Sequence, residues 1–332
     1  MNTHISDSIT DIPVPSVSKT GWIRVKTFDD NYTEITVLKS GVIDYLRASL
    51  AENSCRAYQA DLRHFIEWGG TIPTSPELLA NYLAAHAEQN AVATLARRLV
   101  SISKAHTAQG FLSPANTELV RATLRGIRHI HGSSQRQVAP AVWEDVLQMV
   151  AGLEGVKGFR DRALLLVGFA GAFRRSELVS LSVADIEYEQ RGMLIHLRFS
   201  KTDPEGHGRK VAIPYARGAV CPVLSLKRWF EISGVIEGPI FRSINRHGVI
   251  LGSALTPQSV ALIVKEKAKA VGLDPAKYSG HSLRAGLVTS AARAGVSSWK
   301  IRQQTGHRSD AMLHRYIRDA KLFIDNAAGA IL

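Results

Sequence analysis

The sequence predicts a mainly α-helical chain of two domains, with a small antiparallel β-sheet in the second. Three observations lead there. Apolar residues recur at helical spacing through most of the chain from residue 38 to residue 271. Two segments, 193–199 and 209–214, instead read as β-strands around a turn-rich connection. The polar stretch GSSQRQVAP, residues 132–140, has no apolar periodicity and separates two patterned regions. The length of 332 residues is enough for about two domains. A composition of 45% apolar and 21% charged residues is that of an ordinary globular protein.

Residues 1–37 are polar and hydroxyl-rich, with Pro13 and Pro15, and are expected to form a flexible arm. Helical patterning begins near Leu38. Ser54 is expected to cap a helix carrying Tyr58, Leu62, Phe65 and Ile66 on one face, ended by Gly69-Gly70. Ser75 followed by Pro76 predicts the next start, with Leu79, Tyr82 and Leu83 as the buried stripe. A third helix is expected over about 91–109, stopped by Gly110, and a fourth over about 116–131, closed by Gly132. Residues 38–131 thus read as a helical bundle whose polar faces carry Arg97, Arg98, Lys104, Arg121, Arg125 and Arg128.

These cations belong to a wider imbalance. The chain has 41 Lys+Arg against 29 Asp+Glu, a formal net charge of +12. That excess calls for a polyanionic partner, nucleic acid or an anionic membrane surface. No apolar run approaches the roughly 20 residues of a membrane span. The start, MNTHISDSITDIPVP, has neither a basic n-region nor an apolar h-region. Nucleic acid is therefore the expected partner and a membrane is not. The bundle's basic faces would contact phosphates. The 132–140 linker would let the two domains close around a duplex as a clamp.

In the second domain, residues 141–320, helical patterning resumes over about 140–152 and 158–172. GAFRRSELVSL, residues 171–181, follows. Glu177 stands three residues after Arg174, where its carboxylate can orient the guanidinium. MLIHLRF and RKVAIP form the hairpin strands. The intervening SKTDPEGHG is turn chemistry, which puts Lys201 at the hairpin mouth. Further helices are expected over 222–232 and 256–271, with connectors around 234–239 and 272–279. The last twelve residues, KLFIDNAAGAIL (321–332), put Ile324, Ala327, Ala328 and Ile331 on one face. A helix this short is marginal alone and must dock.

The chemistry concentrates between Gly280 and Ala320: GHSLRAG, a helical run, TGHRS, then MLHRYIRDA. His281 and Arg284 are i and i+3 and share a helix face. His307 follows, and Tyr316 comes nine residues after it. Residues 281–321 hold eight Lys/Arg and two Asp/Glu. A basic surface with two histidines and a tyrosine suits a phosphate that is attacked as well as held.

HSLR, GH and RY, in this order and spacing, resemble the C-terminal signature of the tyrosine recombinase (phage integrase) family. RRSEL supplies the family's upstream arginine; the spacing to Ser176-Glu177-Leu178 selects Arg174 over Arg175. The sequence departs from the commoner G-L-R-I-S-E-L form at Ala172, Phe173 and Arg175. Ser54–Trp68 is similar to the family's N-terminal core-binding domain, and the resemblance covers about residues 38–320. It implies a two-domain DNA clamp, a SAM-like helical bundle plus a mixed α/β catalytic domain of the tyrosine recombinase type. It implies site-specific recombination of double-stranded DNA at inverted-repeat sites, by a homotetramer that passes through a Holliday junction. Accessory DNA-bending proteins would be optional partners, and residues 321–332 would pack into a neighbouring subunit. The cellular setting implied is cytoplasmic and nucleoid-associated, in a bacterium, phage or mobile element.

The residue types fit that chemistry. Tyr316 would be the nucleophile, giving a 3′-phosphotyrosine. Arg174 and Arg284 are planar forks for bidentate phosphate binding. His307 would donate to a nonbridging oxygen, Lys201 would protonate the leaving 5′-oxygen, and His281 would assist proton transfer near Tyr316. No cofactor and no metal are expected. Cys55 and Cys221 form no metal spacing, and there is no H-E-x-x-H and no G-x-x-x-x-G-K-[ST] loop. Two rivals use the same residues or the same fold: a type IB topoisomerase-like nicking and resealing enzyme, and a catalytically silent DNA-binding regulator. An RNA-binding helical protein lacks any recognised motif here.

Overall fold

The structure, a computed structural model, describes residues 52–133, 137–198, 208–218, 220–307, 309 and 313. The chain divides into two compact units between Arg136 and Gln137. In the first, the described residues form α1 (Glu52–Glu67), α2 (Pro76–Ala85), α3 (Val92–Ala108) and α4 (Glu118–His131). A short 3₁₀ turn, Pro114–Asn116, precedes α4. Ser75 caps α2 by accepting the Leu78 N–H at 3.2 Å, as its place before Pro76 predicts. Ser54 lies inside α1 and is not its cap: the backbone is already helical at Glu52, so no free helix end is left there for the hydroxyl. Gly110 and Gly132, both with positive φ, follow α3 and α4.

Phe65, Leu79, Leu83, Leu95, Ile102 and Leu124 fill the core of this bundle. One buried carboxylate, Asp61, links α1 to α3. It accepts from Arg97 at 2.8 and 2.9 Å and from Ser101 at 2.9 Å. Arg98 is buried, 3.9 Å from the same carboxylate, so it is part of the interior and not of the expected basic face. Lys104, Arg121, Arg125 and Arg128 are exposed.

The second unit contains α5 (Trp143–Val150), α6 (Gly155–Ala170), α7 (Arg175–Ser180), α8 (Pro222–Ser233), α9 (Pro257–Ala270), α10 (Ser282–Arg293) and α11 (Ser298–Thr305). Strands β1 (Ile186–Glu189), β2 (Gly192–Leu197) and β3 (Arg209–Pro214) form one antiparallel sheet. β4 (Arg242–Ile244) and β5 (Ile250–Ala254) form a separate hairpin. The mainly helical class with small antiparallel sheets is as expected. β1 and the second hairpin are additions. β1 leaves three of its four residues exposed, and β4 is half-buried throughout, so neither shows apolar alternation.

Helix α6 is the centre of this unit. Its apolar residues Ala163, Leu164, Leu165, Leu166 and Val167 are consecutive and all fully buried, the mark of a helix covered on every side. Glycines let its neighbours approach. A methyl at Gly168 would lie 2.9 Å from Leu178 of α7 and 3.0 Å from Leu283 of α10. In the same way Gly286 of α10 lies under the backbone of Ala141, whose N–H donates to Ser282 O at 2.9 Å. Among the described residues, no helix is long and apolar enough to cross a membrane.

A methyl at Gly286 would sit 1.7 Å from the Ala141 carbonyl oxygen, and backbone has little room to give. Gly286→Ala is therefore expected to lower the unfolding free energy by about 2 kcal/mol or more. Urea denaturation checks this; an unchanged midpoint would mean that the Ala141 segment moves freely away from α10.

Candidate active site

The turn after α6 sets up the first part of the site. Ala172 has φ 49°, the only positive φ outside glycine among the described residues. For a residue with a Cβ this costs on the order of 1 kcal/mol. The turn aims the Ala172 carbonyl at Arg284, whose Nη1 donates to it at 2.7 Å. Two residues on, Arg174 opens α7. Glu177 accepts the Arg174 backbone N–H at 2.9 Å and, through its other oxygen, Arg174 Nη1 at 2.5 Å. One carboxylate thereby fixes both the main chain and the side chain of Arg174. Arg175, its neighbour, is exposed.

Arg209 is a site residue that the motif search does not single out. Leu197 pairs with it across the sheet, and it shares the inward face of β3 with Val211 and Ile213. Its Nη2 lies 3.7 Å from Glu177 Oε2, and its Nη1 donates to Gln304 O at 2.7 Å. Burial pushes its pKa down, Glu177 opposes that, and Arg174 adds to it. The signal available in the sequence was an arginine in phase with the buried residues of a strand.

His281 and Arg284 lie at the start of α10. His281 precedes the first helical residue but already has helical φ and ψ of −82° and −16°, so the i, i+3 relation holds. Arg284 is 1% exposed. His281 keeps an exposed face. Atoms packed round its ring, and then Arg284, Arg174 and Arg175, push its pKa below the usual histidine value; Glu177 opposes them.

His307 follows Gly306, which ends α11 in the left-handed conformation, φ 67°. A methyl at Gly306 would meet Arg209 Nε at 2.9 Å, so glycine serves both the turn and the close approach. Gln304 locks the end of α11 in place. Its Nε2 donates to Ala170 O of α6 at 2.8 Å and to Ala212 O of β3 at 3.2 Å. His307 is 8% exposed, and its Nδ1 is 2.7 Å from Thr305 Oγ1. Burial, then Arg284, Arg174, His281 and Arg209, pushes its pKa down to about 3. The ring is neutral at pH 7.

Arg174, Arg209, Arg284 and His281 therefore come together close enough to His307 to act on its charge, with Glu177 against Arg174 and Arg209. Three guanidiniums against one carboxylate leave a positive site suited to an anion with several acceptor oxygens. Lys201 and Tyr316 lie outside the described residues.

The comparisons bear on a site of this kind. The phage integrase family matches residues 142–322. An integrase/recombinase XerD homolog of Selenomonas ruminantium is 42% identical over 294 residues, covering 85% of this chain and 86% of that protein. The chain belongs to the phage integrase family. Recombinase Cre of Escherichia phage P1 is also similar, 25% identical over 281 residues, covering 78% and 79% of the two chains. The fold agrees. The XerH site-specific recombinase, in a post-cleavage complex with a palindromic difH substrate, aligns with a TM-score of 0.64 at 17% identity, over 87% of this chain and 83% of that one. A lambda integrase tetramer bound to a Holliday junction aligns with a TM-score of 0.59 at 18% identity, over 85% and 77%. This phage integrase is thus an enzyme of the DNA strand-transferase type.

In this integrase the buried neutral His307 has a consequence for stability. Its folded pKa of about 3 lies below the ordinary 6.5, so the unfolded chain binds the extra proton first. The stability linked to His307 is therefore present in full above 6.5 and falls as pH drops toward 3. Unfolding free energies measured across that window should fall more steeply for the natural chain than for His307→Gln. Parallel profiles would show that His307 is not buried in its neutral form.

Proposed function

We propose that this chain is a site-specific tyrosine recombinase that cuts and rejoins DNA through a 3′-phosphotyrosine on Tyr316. The observation that carries the reading is the pair of guanidiniums, Arg174 and Arg284, beside the imidazoles of His281 and the neutral His307, with Arg174 fixed by Glu177. Tyr316 Oη attacks the scissile phosphorus and loses its proton with the help of His281. Arg174 and Arg284 hold the nonbridging oxygens as charge grows on them, and His307 donates to one. The bond to the 5′-oxygen breaks, and Lys201 gives that oxygen its proton. Attack by a 5′-hydroxyl on the phosphotyrosine then restores the diester and frees Tyr316. The covalent link conserves the bond energy, so no ATP is required.

The same reading assigns the rest of the chain. Residues 1–37 form an arm, 38–131 a DNA-contacting bundle, 132–140 a linker, 141–320 the catalytic domain, and 321–332 a docking helix. Exposed Lys104, Arg121, Arg125 and Arg128 support the role of the bundle. The working assembly is a homotetramer on paired inverted-repeat sites, acting on DNA in the cytoplasm, with DNA-bending proteins as optional partners. The likeness to recombinases that include a tetramer on a Holliday junction supports it. The apolar residues Ile324, Ala327, Ala328 and Ile331 support docking of the last segment.

The test is to incubate the chain with sheared source DNA, stop with SDS, and sequence what stays bound to protein. A discrete sequence with an inverted repeat is expected. Adducts at scattered sites would contradict site-specific recombination. The recovered sequence then serves to test Lys201. Lys201→Ala should slow cleavage of ordinary DNA but spare a substrate with a better 5′-leaving group; equal loss on both would remove the general-acid role.

A further inference from the structure

Thr305 has no part in the chemistry described so far, yet it is the residue His307 leans on. It is fully buried at the last position of α11. Its Oγ1 lies 2.7 Å from His307 Nδ1, 2.8 Å from Ile301 O and 3.4 Å from Arg302 O. A hydroxyl has one proton to give. If that proton goes to the Ile301 carbonyl, Oγ1 accepts from Nδ1–H. A neutral ring then presents only a lone pair at Nε2. If the proton goes to Nδ1, the neutral ring carries its hydrogen on Nε2 and presents a donor.

We infer that Thr305 is a positioning residue for DNA cleavage, its hydroxyl turning toward His307 Nδ1 so that a neutral imidazole presents Nε2–H to the scissile phosphate. This rests on the reading of His307 as a donor to a nonbridging oxygen. The surroundings of the ring make the device necessary. Arg284, Arg174 and Arg209 stay charged at every working pH, and His281 also faces the ring. Such neighbours oppose an imidazolium, so a second proton on the ring is the costly way to obtain a donor. Rotation of a hydroxyl provides the donor without adding charge. The Ile301 carbonyl keeps its helical partner when the hydroxyl leaves it, since Thr305 is the fourth residue on and its own N–H lies on that side of the turn.

The test is a double-mutant cycle on SDS-trapped adduct formation with sheared source DNA, using the full chain. Thr305→Val removes the hydroxyl at nearly constant shape, and Thr305→Ser keeps it. Thr305→Val should form adduct about tenfold more slowly with DNA retention unchanged. Thr305→Ser should stay within about twofold of the natural chain, because it keeps the same donor and acceptor. In a His307→Ala background, which leaves no donor or acceptor at that side chain, Thr305→Val should cost nothing further. Full activity of Thr305→Val, failure of Thr305→Ser to preserve it, or an equal loss from Thr305→Val in both backgrounds would overturn the assignment. If His307→Ala alone forms adduct as fast as the natural chain, the donor role of His307 itself falls, and Thr305 has nothing to position. Thermal unfolding of each variant separates a folding defect from these outcomes: a Thr305→Val chain that melts with the natural one yet cleaves slowly supports the role.

Discussion

A carboxylate that is 3% exposed must be paired, because an unpaired buried charge costs several kcal/mol. Glu177 is paired by Arg174 within its own turn and approached by Arg209 from the sheet. Arg209 in turn holds the Gln304 carbonyl at the end of α11, just before the turn that carries His307. One buried charge thus connects three segments that are far apart in the chain. It also prevents the guanidiniums of the site from simply repelling one another apart. Removing Glu177 would leave the Arg174 backbone N–H and guanidinium without that partner and Arg209 without its nearby carboxylate, which makes Glu177 a structural part of the site as well as an orienting group.

The second constraint is close packing on α6. Gly168 lets Leu178 and Leu283 meet on that helix, which places the starts of α7 and α10 side by side. At its end, the unusual backbone at Ala172 turns a carbonyl into the partner of the buried Arg284. Preorganised donors are effective because they need no rearrangement when charge develops on the substrate. The positions of Arg174 and Arg284 are set by buried main-chain and carboxylate partners, not by flexible surface contacts. The strain at Ala172 is consistent with that arrangement.

Much of this was legible in the sequence where local chemistry decides. Ser75-Pro76 marks a helix start because a hydroxyl cap and a missing N–H suit that position. Arg174 and Glu177 were linked by helical spacing, and they do bond. The strands at 193–199 and 209–214 were visible because Ile195, Val211 and Ile213 face one core. What escaped depends on tertiary partners. Arg98 reads as surface charge until Asp61 is seen beside it. Arg209 reads as the polar end of a strand until Glu177 and Gln304 are placed. Thr305 reads as an ordinary helix residue until the turn at Gly306 folds His307 back onto it. β1, with three exposed residues, has no pattern that a single segment could display.

In the proposed mechanism the phosphate ends on one identified atom, Tyr316 Oη. The most direct measurement is peptide mass spectrometry of the SDS-trapped adduct after nuclease and protease digestion. A nucleotide remnant on the peptide that contains Tyr316, absent from Tyr316→Phe, is the predicted result. A remnant on any other residue, or an adduct that survives in Tyr316→Phe, would contradict it.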